Sequence, residues 1–184
     1  GQGFGTHGHE NMEIISYVLS GALEHKDSMG NGSILRRGQV QRMSAGTGVL
    51  HSEFNPSASE ESHFLQIWLY PNQKDVEPSY EEAVFNDEDK QDKWCLIASG
   101  NGEQGAVRIH QDAKLHAGIF NGTQAPEYTL ANDRIAYIHV VKGDITINGQ
   151  QLHTGDALKL TAESRVQIQQ ANNAEVLLFD MIAR

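Results

Sequence analysis

Cysteine is almost missing from this sequence: Cys95 stands alone among 184 residues. One thiol closes no intrachain disulfide, so the fold has to rest on its core, and a reducing cytoplasm is the natural location for it. Cys95 lies in Trp94-Cys95-Leu96-Ile97-Ala98, which reads as a buried strand with an inert thiol. No apolar run approaches the ~20 residues that a bilayer-spanning helix requires, and no basic-then-apolar leader is visible, so no membrane association is expected. Basic residues are outnumbered, with 14 Lys and Arg against 24 Asp and Glu and a formal net charge of −10. Such a surface repels phosphate backbones, so no direct nucleic-acid partner is expected, whereas a basic protein partner would suit it. Helical periodicity is also scarce.

Short strands separated by turns fill the chain instead. Ile14–Leu19, Phe64–Tyr70, Ile135–Val141 and Val176–Phe179 are dense in β-branched and aromatic residues. Asn148-Gly149, between Ile145–Ile147 and Gln150–Leu152, is a hairpin signal of the type I′ kind. The pattern also repeats. Tyr17–Gly21, a turn at Gly30-Asn31-Gly32, and Arg37-Gly38-Gln39-Val40 recur as His139–Gly143, Asn148-Gly149, and Thr154-Gly155-Asp156-Ala157. This predicts an all-β chain of two similar small barrels. Residues 1–72 form the first and 94–184 the second, joined by a polar, acidic linker over 73–93 in which Phe85–Lys90 reads as an exposed connection. The richest motif begins six residues after Gly1, and there is no initiator Met, so we expect further residues ahead of Gly1.

Two clusters carry ligand-type side chains. In Thr6-His7-Gly8-His9-Glu10-Asn11-Met12-Glu13 the two histidines are two apart, which on a strand puts both on one face roughly 6–7 Å apart. Glu13 would share that side if the strand continued. In Gly46-Thr47-Gly48-Val49-Leu50-His51-Ser52-Glu53 the second pair, His51 and Glu53, has the same spacing. Together they suggest a site of three imidazoles and one carboxylate. Such a set leaves coordination positions open, which suits Fe, Mn, Ni, Co or Cu better than a closed structural Zn. His25 reads as a hydrogen-bonded or exposed residue, and the spacing of His63, His110, His116, His139 and His153 suggests no second site.

These runs resemble a known superfamily. Gly1–Gly21 and Gly38–Asn55 are similar to the first and second cupin motifs. Within the cupins, Gly3-Phe4-Gly5-Thr6-His7, Met12-Glu13-Ile14, Glu24-His25-Lys26-Asp27-Ser28-Met29-Gly30 and Met43–Glu53 closely resemble the pirin family, especially its bacterial quercetinase-like members. The chain departs from the usual spelling at Gly8, where proline is common, and at acidic Glu10, where a basic residue is common. The resemblance implies a bicupin of two jelly-roll β-barrels, with extra strands ahead of the His-x-His. It implies that His7, His9, His51 and Glu53 ligate one divalent transition-metal ion, iron first, with Mn, Ni, Co, Cu or Zn also compatible. Glu53 is preferred to Glu13 because its Gly-x-x-His-x-Glu setting matches the pirins. The implied activity is O2-dependent cleavage of a flavonol such as quercetin at its 2,3 bond, with release of carbon monoxide. Glu53 would act catalytically as both ligand and proton acceptor, and Phe4, Phe54 and Trp68 would be candidate pocket walls. The alternative is an iron-dependent redox-sensing regulator that binds a transcription factor or metabolic enzyme. Aligning the repeat places Thr129, Ala131, Ile168 and Gln170 where the first half has His7, His9, His51 and Glu53, so the second barrel is expected to be metal-free.

Overall fold

Alternating inward and outward side chains at two-residue spacing run through most of the chain, and strands account for nearly all of its regular structure. The computed structural model describes residues 1–123 and 126–183. They divide into two units, one of Gly1–Asn86 with Gly100–Gln111, the other of Asp87–Ser99 with Asp112–Arg184. No helix among the described residues is long and apolar enough to cross a membrane.

The first unit contains β1 (Gly3–His9), β2 (Glu13–Ser20), β3 (Ala22–Asp27), β4 (Gly32–Arg36), β5 (Gln39–Ser44), β6 (Val49–Phe54), β7 (His63–Leu69) and β8 (Ser79–Val84). They pair antiparallel as two four-stranded sheets, β1-β6-β3-β4 and β7-β2-β5-β8. Side chains from the two sheets meet inside. Along β2 the inward positions read Ile14, Ser16, Val18. Ile14 packs with Met43, Ala45 and Val49, while Val18 packs with Leu23 and Leu35. Ser16, equally buried, lies between these two apolar clusters in a polar layer. That layer is where the candidate site forms.

The second unit opens with a short helix, α1 (Asp87–Lys90), and β9 (Cys95–Ser99). The chain then returns to the first unit through a 3-10 turn and β10 (Val107–Arg108). The second unit resumes with β11 (Ala113–Gly122), β12 (Tyr128–Thr129), β13 (Arg134–Ile147), β14 (Gln150–His153), β15 (Ala157–Leu160), β16 (Arg165–Val166) and β17 (Ile168–Ile182). Its main sheet runs β9-β11-β17-β13-β14, with β15 also on β13 and a separate β12-β16 pair. Its interior is apolar, built from Phe120, Ile138, Val140, Ile145, Ile147, Val176 and Leu178 among others. Ile168, which the repeat matches to His51, belongs to that apolar cluster.

The sequence pattern and the structure differ at two places. Residues 73–93, expected as a linker, contain β8, which pairs with β5 from Gln39↔Val84 to Ser44↔Ser79. Phe85 and Lys90, expected as exposed, are buried, and the Lys90 ammonium lies 3.2 Å from Asp87 and 3.9 Å from Glu175. Hydrophilic spelling misleads here because a buried lysine is tolerated when carboxylates face it. Secondly, Ile135–Val141 and Ile145–Ile147 read as separate strands, whereas β13 is continuous. Its ladder to β17 absorbs the Gly143 region through register shifts at Val140/Lys142 and Lys142/Asp144.

The repeated glycines Gly21 and Gly143 have a common physical cause. Both lie at positive φ, 69° and 81°. A Cβ at Gly21 would sit 2.2 Å from the Glu61 carbonyl oxygen, and one at Gly143 would sit 2.4 Å from that of Asn173. The left-handed backbone alone costs an L-residue about 1–2 kcal/mol, and backbone collision adds to it. Gly21→Ala and Gly143→Ala should therefore each lower the unfolding free energy from urea titration by at least about 1–2 kcal/mol, with a matching drop in midpoint. An unchanged midpoint in either variant would show that the backbone there yields freely.

Candidate metal centre

The site is assembled on neighbouring strands β1 and β6, and their register decides what faces inward. The pairing runs Gly3↔Phe54 and Phe4↔Glu53, then resumes at His7↔His51, Gly8↔Leu50 and His9↔Val49. One extra residue on β1 is taken up between Phe4 and His7. Without that bulge, even pairing from Phe4 would set His7 against Leu50, which faces outward and is 53% exposed. The bulge instead brings His7 opposite His51, the kind of re-aiming that bulges provide near functional sites. Gly8 does not break the strand.

Three imidazoles converge as a result. Ring centroids lie 4.9 Å apart for His7 and His9, 4.4 Å for His7 and His51, and 4.9 Å for His9 and His51. His7 Nδ1 lies 2.8 Å from the Gly5 carbonyl oxygen, which can only accept, so the His7 proton is on Nδ1 and Nε2 carries the lone pair. That Nε2 is 3.0 Å from His51 Nε2. His9 Nε2 is buried and has no hydrogen-bond partner among the described residues, and neither has His51 Nδ1. Burial, reinforced by the charge that protonated His7, His9 and His25 would bring, pushes the His51 pKa down to about 3. Burial and His7 lower His9 in the same way. His9 and His51 are thus held as neutral imidazoles, and one nitrogen from each of the three rings lies within 4.8 Å of the others.

Glu53 is buried on the same strand as His51. Ser16 Oγ donates to its Oε1 at 3.3 Å, and Gln66 Nε2 donates to its Oε2. Burial raises the Glu53 pKa, and the bonds from Gln66 and Ser16, with the charge of His25, oppose the rise. Two groups of side chains among the described residues could hold a cation: His7, His9 and His51, and His25, His51 and Glu53. They share His51. Both nitrogens of His25 are already engaged, Nε2 with Asp27 at 3.2 Å and Nδ1 with Gln41 Nε2 at 3.2 Å. Burial pushes the Asp27 carboxyl up, yet hydrogen bonds from Asn31 and His25 outweigh it and hold it below the usual range. An anionic Asp27 takes the His25 Nε2 proton as a hydrogen bond, and Gln41 covers the remaining lone pair. His25 is therefore a buried, hydrogen-bonded residue.

Glu13 is elsewhere. The strand does not continue from His9: Asn11 turns the backbone at φ 49°, and Glu13 begins β2 in the other sheet. Three residues from Ser16, it occupies the opposite face of β2. There it accepts from Ser44 Oγ at 2.9 Å and from the His110 backbone N–H at 3.1 Å, with His110 Nδ1 3.2 Å away. The shared side expected for His9 and Glu13 is corrected by that turn.

Sequence reading passed over Ser16 and Gln66 and gave His110 no role. For the first two there was a signal: each is a single polar residue inside an apolar strand, Ile14-Ile15-Ser16-Tyr17-Val18 and Phe64-Leu65-Gln66-Ile67-Trp68. Of the expected pocket walls, Phe4 and Phe54 line a cleft of ≈ 780 Å³ with Leu23 and Phe64, and Glu53 borders it. Trp68 lies against His9 edge-on, with centroids 5.0 Å apart.

Comparison with known proteins identifies the family and the fold. A family model described as Pirin matches residues 1–69, and one described as Quercetinase C-terminal cupin domain matches 96–181. Quercetin 2,3-dioxygenase of Escherichia coli K12 is 42% identical over 181 residues, covering 98% of this chain and 77% of that protein. The crystal structure of the bacterial pirin YhhW from Escherichia coli in complex with nickel(II) superposes with a TM-score of 0.94 at 41% identity, covering all of this chain and 78% of that one. YhaK of Escherichia coli, at 24% identity and a TM-score of 0.87, shares the fold.

The imidazole cluster makes a prediction about acid. His51 has a folded-state pKa near 3 against 6.5 for the free side chain. Between those values the unfolded chain binds more protons than the folded one, so stability falls as pH is lowered through that window and is regained as it rises. Urea midpoints of the metal-free protein should drop across it, less steeply in His51→Gln. Equal slopes would mean that His51 is protonated in the folded state.

Proposed function

The chain belongs to the pirin family, and on that premise we propose that it is a metal-dependent dioxygenase that cleaves flavonols such as quercetin at the 2,3 bond with release of carbon monoxide. The observation that carries this reading is the convergence of three imidazoles beside a buried carboxylate. The donor set fits a divalent transition-metal ion. His9 Nε2 is buried without a partner, a position that is costly unless something accepts its lone pair. In this reading His7, His9, His51 and Glu53 hold one such ion. Iron is the first candidate, and the nickel complex of the Escherichia coli relative supports nickel as an alternative. When bound, the ion would supply a Lewis-acid centre with positions open for substrate.

The protein's own residues would do the rest. The cleft lined by Phe4, Leu23, Phe54 and Phe64 is large enough for a planar flavonol, and its aromatic walls suit stacked rings. Glu53 borders that cleft, so it can meet the flavonol 3-hydroxyl from inside. Burial makes its carboxylate a stronger base than an exposed one, which favours taking the hydroxyl proton. The Escherichia coli relative bears an enzyme's name, and the regulatory alternative is not favoured.

Quercetin consumption in air, followed by loss of its visible absorbance, tests the proposal. The protein is loaded separately with Fe(II), Mn, Ni, Co and Cu, and His51→Ala serves as the control. Metal-dependent turnover, reduced at least about 100-fold in the variant, is expected, the order of loss seen when a group acting in the transition state is removed. Stoichiometric metal binding with quercetin left intact would end the flavonol assignment.

A further inference from the structure

The two hydrogen bonds to Glu53 are unequal, and the difference is built into the opposite sheet. Ser16 on β2 and Gln66 on β7 are direct cross-strand partners. Each points across the barrel at one oxygen of the same carboxylate, Ser16 at Oε1 and Gln66 at Oε2. Gln66 is itself held. The indole N–H of Trp68, two residues along the same strand, donates to Gln66 Oε1 at 3.1 Å. An indole nitrogen can only donate, so the Gln66 oxygen must face Trp68 and its NH2 must face Glu53. The side-chain amide is therefore orientationally fixed, and its nitrogen, which can only donate, requires an oxygen lone pair opposite it. Ser16 imposes no such condition, because its bond is long at 3.3 Å and a hydroxyl can rotate from donor to acceptor.

We propose that Gln66, oriented by Trp68, is a positioning residue that locks Oε2 of Glu53 and leaves Oε1 as the single oxygen offered to a metal ion or to a substrate hydroxyl. The inference rests on the reading of Glu53 as ligand and proton acceptor. With Oε2 tied back, the carboxylate would be biased toward holding an ion through Oε1 alone, which would leave more of the coordination sphere for substrate. Cofactor-tuning partners of this kind sit one layer behind the ligands and set their orientation.

The test uses the full chain loaded with Co(II), whose visible d–d absorption reports coordination number. Gln66→Leu should weaken Co(II) about 10–100-fold, as loss of a ligand's hydrogen-bond partner does elsewhere. It should also change the d–d spectrum as both carboxylate oxygens become free to bind. Its kcat for quercetin should fall more than its KM rises. Trp68→Phe keeps the ring and removes the N–H, so it should move the spectrum the same way by less. Its side chain is half-exposed, so this variant carries the test if Gln66→Leu fails to fold. Glu53→Gln is the reference. A spectrum altered by Glu53→Gln but unmoved by Gln66→Leu and Trp68→Phe overturns the tether and reduces Gln66 to packing. A spectrum unmoved by Glu53→Gln removes Glu53 from the ligand set and overturns the underlying reading separately.

Discussion

One extra residue in β1 governs what the first unit can do. An antiparallel ladder places directly paired residues on one face, so a shift of a single residue exchanges inside for outside. Before the bulge, Phe4 pairs with Glu53; after it, His7 pairs with His51. Both pairs therefore lie on one face of the sheet, with Phe4 still 60% exposed near the strand's start, although Phe4 and His7 are an odd number of residues apart and would otherwise point to opposite sides. The bulge thus brings a cleft wall and a candidate ligand to the same side of one strand. His9 follows by simple alternation, and His51 and Glu53 follow on β6 by the same rule.

Much of this was legible in advance, for a plain reason. The spacing of two that couples His7 to His9 and His51 to Glu53 is the period of a strand, and glycine-punctuated apolar runs marked the strands themselves. The repeat at Gly21 and Gly143 was equally visible, because a close backbone approach tolerates no other residue at either position. What stayed hidden depends on register and on distant chain. Nothing local in Gly3-Phe4-Gly5-Thr6-His7 announces a bulge, since its cost and its benefit lie in the partner strand. The turn at Asn11 that sends Glu13 into the other sheet is likewise set by tertiary pairing. His110, 97 residues from Glu13 in sequence, could not be linked to it by any spacing rule.

The polar residues of the first unit sort into two sets by strand parity. Along β2, even-numbered Ser16 looks inward to Glu53 and odd-numbered Glu13 looks outward to Ser44 and His110. Each carboxylate is fully buried; Glu53 is satisfied by donors from strands across from it, and Glu13 by one from the neighbouring β5 and one from the segment after β10. Burying such groups without partners would cost several kcal/mol, so the layer is stable only as a complete network. His9 Nε2 and His51 Nδ1 are buried without a partner among the described residues, as are Arg42 Nε and Ser62 Oγ; what sets the histidines apart is that three of them converge.

The first unit is assembled from two stretches of chain separated by a stretch of the second. The return segment is not ornamental. Its Arg108 backbone N–H bonds Glu81, its His110 N–H bonds Glu13, and its Gln111 side chain bonds the Tyr70 carbonyl. No single cut in the polypeptide therefore yields a whole metal-site unit. A gene fragment ending at Asn86 would carry every candidate ligand yet leave Glu13 and Glu81 short of donors in the sheet behind them. Moving residues 1–86 alone into another chain would therefore move an incomplete sheet.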